Sequence, residues 1–246
     1  MKRIAIVAML ISLVGASLAA GPELTLKETE FDFGIAPQNA KVAHTFWLYS
    51  TGDEELLITK VIPGCGCTKA PLEKDALAPG DSTRLEIIFS TKRYSKHISK
   101  KPRIESNGTI SNHSIVITAD IATDPKKIEP LKVSPYKLNL SQYNNTERKK
   151  MNFHLTNDSD KDINVKVVAA PSDVVSFKIP DKIAAGASEK AEITLTETGQ
   201  STEWSKSITL ELDDEYATRL SIPINRQIKS ATVTPASAKV ESKEGK

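Results

Sequence analysis

Apolar and polar positions alternate with a period of two along most of this chain. Val42, His44, Phe46, Leu48 and Ser50 place apolar side chains on one face through the middle of a segment, and Leu57, Thr59 and Val61, then Leu85, Ile87 and Phe89, then Ile115, Ile117 and Ala119 continue the pattern. Successive residues of a strand point to opposite faces, so each run predicts a half-buried β-strand. The second half repeats the pattern with Met151, Phe153 and Leu155, with Val165 and Val167, with Ala191, Ile193 and Leu195, with Ile208, Leu210 and Leu212, and with Leu220, Ile222 and Ile224. Between the runs stand Thr51-Gly52-Asp53, Ala78-Pro79-Gly80-Asp81 and Ser106-Asn107-Gly108, residues that preset φ or tolerate its positive range in a tight turn. No stretch of comparable length carries a helical stripe, and short strands at this spacing predict a sandwich.

The two halves say nearly the same thing. Phe46, Leu48, Leu56 and Ile58 fall on Phe153, Leu155, Ile163 and Val165, and Leu77-Ala78-Pro79-Gly80-Asp81-Ser82 falls on Ile183-Ala184-Ala185-Gly186-Ala187-Ser188, a repeat of roughly 106 residues. A unit of that length is a domain and not a solenoid turn, and its strand content suits an immunoglobulin-like sandwich. The expected fold is all-β: two tandem immunoglobulin-like β-sandwich domains over residues 22–123 and 128–228, joined by a short linker at Asp124-Pro125-Lys126-Lys127. Residues 229–246, rich in Ser, Ala, Lys and Glu, are expected to be disordered. Only the first copy carries Cys65-Gly66-Cys67, so the second acts as an internal control for what the scaffold itself requires.

The N-terminus suggests a compartment. Met1-Lys2-Arg3, an apolar run from Ile4 to Val14 and the small residues Gly15-Ala16-Ser17-Leu18-Ala19-Ala20 follow the order of a signal peptide, so residues 1–20 are expected to be removed and the mature chain to be periplasmic or extracellular. That apolar run is shorter than the roughly 20 residues a helix needs to cross a bilayer, and no later segment approaches that length, so no membrane span is expected after cleavage. Lys and Arg (33) nearly balance Asp and Glu (31) and are interspersed with them, without interleaved stacking aromatics, which argues against a nucleic-acid groove. Lys92, Arg93, Lys96, Lys100, Lys101 and Arg103 do form one basic cluster, read here as a solvated edge that discourages strand pairing.

Phe31-Asp32-Phe33-Gly34, His44-Thr45-Phe46, Thr51-Gly52, Cys65-Gly66-Cys67-Thr68, Ala78-Pro79-Gly80 and Ser106-Asn107 follow one another in the first copy. On these motifs, over roughly residues 25 to 122, it resembles the bacterial envelope family Domain of Unknown Function 1573. The resemblance implies an immunoglobulin-like sandwich related to the major-sperm-protein-like domains that serve as binding and scaffolding modules, and it implies no established activity. The second copy resembles the same sandwich in its strands and its Ala185-Gly186 turn but lacks the Phe-Asp-Phe-Gly opening and the cysteine loop, so the role of that loop belongs to the first domain.

Cys65-Gly66-Cys67 follows Val61-Ile62-Pro63-Gly64, where a strand gives way to a loop, and the two glycines are read as letting the backbone turn sharply around both sulfurs. Three chemistries are open to it. The thiols can close a small disulfide ring, which an oxidising compartment permits. So short a ring is comparatively easy to reduce and can exchange with partner thiols, although no Cys-x-x-Cys in a βαβ unit and no helix N-terminus is predicted to activate it. Alternatively both thiolates bind Cu(I) or Zn, with Cys65, Cys67 and His44 as the leading set and His97 or His113 as other partners. Each histidine also has a plainer reading: His44 alternates with Phe46 as a packed or rim side chain, while His97 and His113 lie in polar stretches and read as solvated.

Other chemistry is sparse. There is no Gly-x-Ser-x-Gly elbow and no His-Glu-x-x-His helix, and Asp158, Asp160 and Asp162 alternate without the glycine and distal glutamate of a calcium loop. Trp47 and Trp204 read as core or rim residues, and Asn107-Gly108-Thr109 and Asn157-Asp158-Ser159 fit the glycosylation pattern, which matters only in a eukaryote. The expectation is a non-enzymatic binding or scaffolding module of the cell envelope, without cofactor or metal. Sandwich edges and end loops would supply the contacts to an unidentified envelope or extracellular protein, with Cys65, Gly66, Cys67 and Thr68 as the binding or redox loop of the first domain and Phe31, Phe33, Phe46 and Phe89 in the core beside it. The alternative is a thiol-disulfide or soft-metal handling protein using Cys65 and Cys67.

Overall fold

A computed structural model describes residues 21–229. The expected signal peptide and residues 230–246 of the expected tail lie outside the described residues. The first half comprises β1 (Leu24–Leu26), β2 (Glu30–Pro37), β3 (Lys41–Ser50), β4 (Leu56–Ile62), β5 (Thr68–Lys69), β6 (Ala76–Leu77), β7 (Ser82–Ser90), β8 (His97–Lys100), β9 (Arg103–Ser106), β10 (Asn112–Ser114) and β11 (Val116–Ala122). After a single 3-10 turn at Pro125–Lys127, capped by the Asp124 carboxylate, come β12 (Leu131–Ser134), β13 (Leu138–Asn139), β14 (Gln142–Tyr143), β15 (Thr146–Glu147), β16 (Lys150–Asn157), β17 (Ile163–Ala169), β18 (Val175–Lys178), β19 (Lys182–Ile183) and β20 (Ser188–Leu195). A one-turn helix α1 (Glu197–Ser201), β21 (Trp204–Leu212), β22 (Arg219–Arg226) and β23 (Ile228–Lys229) complete the chain.

The architecture is two tandem immunoglobulin-like sandwiches, and the repeat read from the sequence recurs as a repeat of pairings. Sheet β1–β3–β7–β5 of the first half matches β12–β16–β20–β18 of the second. Leu56 faces Leu77 across β4 and β6, and Ile163 faces Ile183 across β17 and β19. The turns match as well: Asp81 N–H donates to Ala78 C=O at 3.0 Å, and Ala187 N–H to Ala184 C=O at 3.0 Å. One difference has a local cause. β21 runs unbroken and pairs on both sides, whereas its counterpart is split into β8 and β9 around Pro102, which has no N–H for a ladder.

The inward positions of each copy close their own core. Phe33, Phe46, Phe89, Leu85, Ile87 and Ile117 are fully buried in the first, and Phe153, Leu155, Ile193, Ile208 and Leu210 in the second. At about 1.5–3 kcal/mol per large apolar side chain, such burial supplies the cohesion of domains that carry no disulfide between their sheets. Leu138 and Leu140 are buried in the second core where Phe31 and Phe33 stand in the first. One expected phase is corrected: Leu56 and Ile58, not Leu57 and Thr59, face inward on β4, and Leu57 is 39% exposed. A bulge between Ile58 and Lys60 then switches faces, which is why Val61 still packs on the core.

The sandwiches are joined by more than a linker. β2 lies between β11 and the second half's β22, pairing in parallel with both, so one sheet runs β19–β17–β21–β22–β2–β11–β8 across the whole molecule. At the crossing Gly34 sits at φ +59°, and a Cβ there would lie 2.1 Å from Arg219 C=O. The Ser221 hydroxyl donates to Phe33 C=O at 2.8 Å. Ser207 Oγ accepts from Ala43 N–H at 3.0 Å and donates to Ala43 C=O at 3.1 Å, satisfying the β3 edge where β1, which pairs only with Leu48 to Ser50, does not reach. Lys206 pairs with Glu86. Ile35 packs against the second core and Ala169 against the first, so each sandwich contributes a side chain to the other.

Candidate functional site

The strand–loop transition expected at Cys65 is formed by the end of β4, where Gly64 at φ +83° turns the chain toward the sulfurs. Gly66 is different from its expected role. It is not in the left-handed region, and a Cβ there would meet nothing within 4 Å, so it leaves the face of the loop open and is not needed for the turn. Cys65 and Cys67 are joined by a disulfide. The Thr68 hydroxyl lies 3.3 Å from Cys65 Sγ and 3.8 Å from Cys67 Sγ. Thr68 N–H donates to Cys65 C=O at 3.2 Å and Ser90 N–H to Cys67 C=O at 2.8 Å, which ties the ring to β7 beside the buried Phe89.

The second copy shows what the scaffold demands at this place. Cys67 immediately precedes β5 and is 7% exposed; Val174 immediately precedes β18 and is 5% exposed. Thr68 pairs with Phe89 on β7 as Val175 pairs with Leu195 on β20. In the second loop the N–H groups of Val174 and Val175 both donate to Pro171 C=O, at 3.1 and 3.0 Å, so backbone hydrogen bonds close the turn. An apolar side chain meets the core requirement, and the sulfur–sulfur bond is an addition specific to the first domain.

Cys65, less buried than Cys67, borders an open groove of about 700 Å³ together with Gly66, Asn39, Lys92, Arg93 and Tyr94. Its floor is built by a staple between two turns. Thr91 is fully buried; its hydroxyl donates to Pro37 C=O at 2.9 Å and accepts from Ala40 N–H at 2.8 Å. Asn39 N–H donates to Lys92 C=O at 2.9 Å, and both residues are held at positive φ, +56° and +37°. Such a conformation is unusual for a long side chain such as lysine. Lys92 and Arg93 were visible in the sequence as a basic pair, but their place against the disulfide was not. Asn39, Thr91 and Tyr94 carried no signal beyond the tolerance of asparagine for turns. Tyr94 lies 5.8 Å from the Phe89 ring, with Lys100 Nζ 5.0 Å from its own centroid.

The histidines are placed apart from the loop. His44 stacks on Phe31 at 3.6 Å, meets Phe46 edge-on at 4.8 Å, and its Nε2 lies 2.8 Å from Glu28 Oε2. Burial is the dominant influence and holds its pKa below the ordinary value, against the opposing effect of Glu28. His97 is exposed beside Asp120 at 3.0 Å, and His113, expected to be solvated, is half-buried, which lowers its pKa as well. Among the described residues no three His, Cys, Asp or Glu side chains gather where a metal ion would sit, so the set Cys65, Cys67 and His44 is not assembled. Asp158 pairs with Lys132, and Asp162 with Lys182 at 2.8 Å. Asn157 is fully buried and its side-chain NH₂ donates to Lys161, Ile183 and Ala184 carbonyls, which removes it as a glycosylation acceptor. Trp47 is 47% exposed on the rim of a cleft between the sandwiches, and Trp204 donates its indole N–H to Gly199 C=O at 3.1 Å.

The disulfide-clipped loop, the aromatic Phe31–Phe33 pair and the Gly34 turn thus belong to one half of the molecule. Residues 24–121 match the family described as Protein of unknown function (DUF1573). The DUF1573 segment coincides with the first core, which runs from Leu24 to Ile121. No curated protein matches the chain. Among solved structures the chain is similar to a protein of unknown function from Porphyromonas gingivalis W83, at 12% identity and TM-score 0.35, covering 83% of this chain and 99% of the other. It is also similar to the Vibrio cholerae VesB protease, at 15% identity and TM-score 0.34, covering 41% of this chain and 32% of the protease. The ASH/PapD-like domain 7 of human CEP192 is similar at 8% identity and TM-score 0.33, covering 50% of this chain and 99% of that domain.

Proposed function

We propose that this chain is a non-enzymatic binding module of the bacterial cell envelope, exported to an oxidising compartment, that presents the Cys65–Cys67 loop and the groove beside it to a protein partner. The observation that carries the reading is the equivalence of Cys67 and Val174. The same sandwich closes the same turn without cysteines, so the disulfide is not needed for the turn and instead fixes the shape of a surface loop that borders an open groove. A loop held in one conformation loses less freedom on binding than a mobile one.

The test is retention of a partner from envelope extract by the immobilised chain, its Cys65→Ala/Cys67→Val variant and its Lys92→Glu/Arg93→Glu variant. A binding module keeps its partner in the first variant, weakened at most severalfold by a looser loop, and loses it in the second. A second reading has its own support: Cys65, the more accessible sulfur, shares the groove with Lys92 and Arg93, cations that would favour its thiolate once the pair is reduced. If retention requires the cysteines and a mixed disulfide accumulates in Cys67→Ala, thiol exchange replaces the module reading.

A further inference from the structure

The groove beside the disulfide does not end at the first sandwich. A second cleft, of about 530 Å³, adjoins it at Asn39 and Lys92, which line both, and continues between the sandwiches past Lys41, Lys137, Asn139 and Asn225. Four cations, Lys41, Lys92, Arg93 and Lys137, thus border one continuous depression, and no aspartate or glutamate lines either part. Other clefts of the molecule are balanced or acidic. The one at Trp47 sets Arg84 and Lys206 against Glu86 and Asp173, and the one at Tyr216 is bordered by Asp160, Asp162, Asp213 and Glu215 with Lys161. In a chain with nearly equal numbers of cationic and anionic residues, this separation is a property of the surface and not of composition.

The four cations also lack carboxylate partners among the described residues. Arg84, Lys132, Lys150, Lys182, Lys206 and Arg219 each pair with a carboxylate, whereas among the described residues none of the four does. Lys137 Nζ donates to Asn39 C=O at 2.8 Å across the junction and lies 5.5 Å from the Tyr136 ring, held there without a counter-charge. The remaining lining offers donors. Asn139 Oδ1 is occupied by Ser141 N–H at 3.0 Å and Asn225 Oδ1 by the Ser205 hydroxyl at 3.1 Å, which leaves both NH₂ groups to meet acceptors. Two of the four non-glycine residues at positive φ among the described residues, Asn39 and Lys92, sit where the two parts join, and strained backbone of this kind concentrates at binding sites.

We infer that this depression binds an extended acidic peptide segment of the partner protein, with its carboxylates against Lys41, Lys92, Arg93 and Lys137 and its backbone carbonyls against the Asn139 and Asn225 amides. The inference rests on the binding-module reading and names the chemistry of its partner. Elongated shape, unpaired cations and side-chain N–H donors together match a chain rich in acceptors, and electrostatic complementarity of this kind sets specificity.

The test is a titration of the ¹⁵N-labelled mature chain with an acetylated, amidated heptapeptide of alternating Glu and Ser, followed by amide shifts. The expected result is saturable shifts at Asn39, Gly66, Lys92, Asn139 and Asn225. They should weaken at least fivefold between about 25 and about 200 mM salt, as the screening length falls below ~10 Å. Lys92→Glu/Lys137→Glu should weaken binding at least tenfold, and Lys178→Glu, on β18 and outside both clefts, should leave it unchanged. Equal shifts with the Gln-Ser heptapeptide, or with sodium sulfate at matched charge, would overturn the inference, and that comparison uses only the unaltered chain. If the Glu-Ser peptide moves none of these amides while the chain still retains its partner from extract, the acidic occupant is refuted and the module reading stands. If retention depends on the cysteines, the reading itself fails.

Discussion

Replacing Gly34 by alanine should uncouple the two sandwiches, and the size of the effect follows from the junction. Gly34 holds φ +59°, where a residue with a Cβ costs about 1–2 kcal/mol. Its Cβ would also lie 2.1 Å from Arg219 C=O and 2.3 Å from the carbonyl carbon, backbone atoms that no rotamer change can move aside. β2 must therefore draw back from β22, giving up the buried hydrogen bond from Ser221 to Phe33 C=O, worth about 0.5–1.5 kcal/mol, and part of the packing of Ile35 on the second core. The combined loss is about 3 kcal/mol, or ~1.5 M in urea midpoint at an m-value of ~2 kcal/mol/M. Each sandwich contains one tryptophan, Trp47 or Trp204, so Trp204→Phe and Trp47→Phe backgrounds report the halves separately. The parent chain should show coincident transitions. Gly34→Ala should show two, both shifted down. Coincident transitions at the parent midpoint would refute the claim that the shared sheet couples the domains.

The Cys65→Ala/Cys67→Val pair should lower stability by at most about 2 kcal/mol, because so short a ring constrains few unfolded conformations. Cys65→Ser/Cys67→Ser should cost about 1–2 kcal/mol more by placing a hydroxyl in the slot that Val174 fills in the second copy, a difference readable by thermal denaturation. Ser207→Ala, which strands both Ala43 backbone groups, should cost about 2 kcal/mol in the same urea assay, and a change below ~0.5 would show that water replaces the hydroxyl. Burial holds the folded pKa of His44 below its ordinary value near 6.5, so the unfolded chain takes up the proton first as pH falls. Stability present above about pH 6.5 should therefore decline toward the folded value and then level off, and His44→Phe should flatten the slope between about pH 7.5 and 5, leaving the same-signed contribution of His113.

Much of the scaffold was legible because strand geometry is local. Period-two runs marked the inward faces of β3, β7, β11, β20, β21 and β22, and the internal repeat predicted that β4 and β17 would occupy the same place. The phase of β4 was misread because a bulge at Ile58 to Lys60 shifts the register without leaving a mark in the composition. The position of the cysteine loop at a strand end was visible, but its two glycines look alike in the sequence and only Gly64 has positive φ. His113 was placed in solvent from its polar neighbours, although pairing with Ile104 on β9 brings it half inside.

The sequence by itself determined the strands, two cores, a repeat and a cysteine loop confined to one copy, because alternation and turn motifs are written in residues a few positions apart and the repeat is a second copy of the same local pattern. Tertiary structure alone decided why Gly34 is glycine, why Ser207, Thr209 and Ser221 are small and polar on an outer face that proves buried, and why Lys92 and Lys137 share one unbalanced cleft. The hydrogen bond from Ser221 to Phe33 spans 188 residues, and the one from Ser207 to Ala43 spans 164. Alternation records which side of a strand faces its own core. It carries no information about a second surface that arrives from the other end of the chain, because that contact requires no period, only a small side chain and a matched hydrogen bond where the two sheets meet.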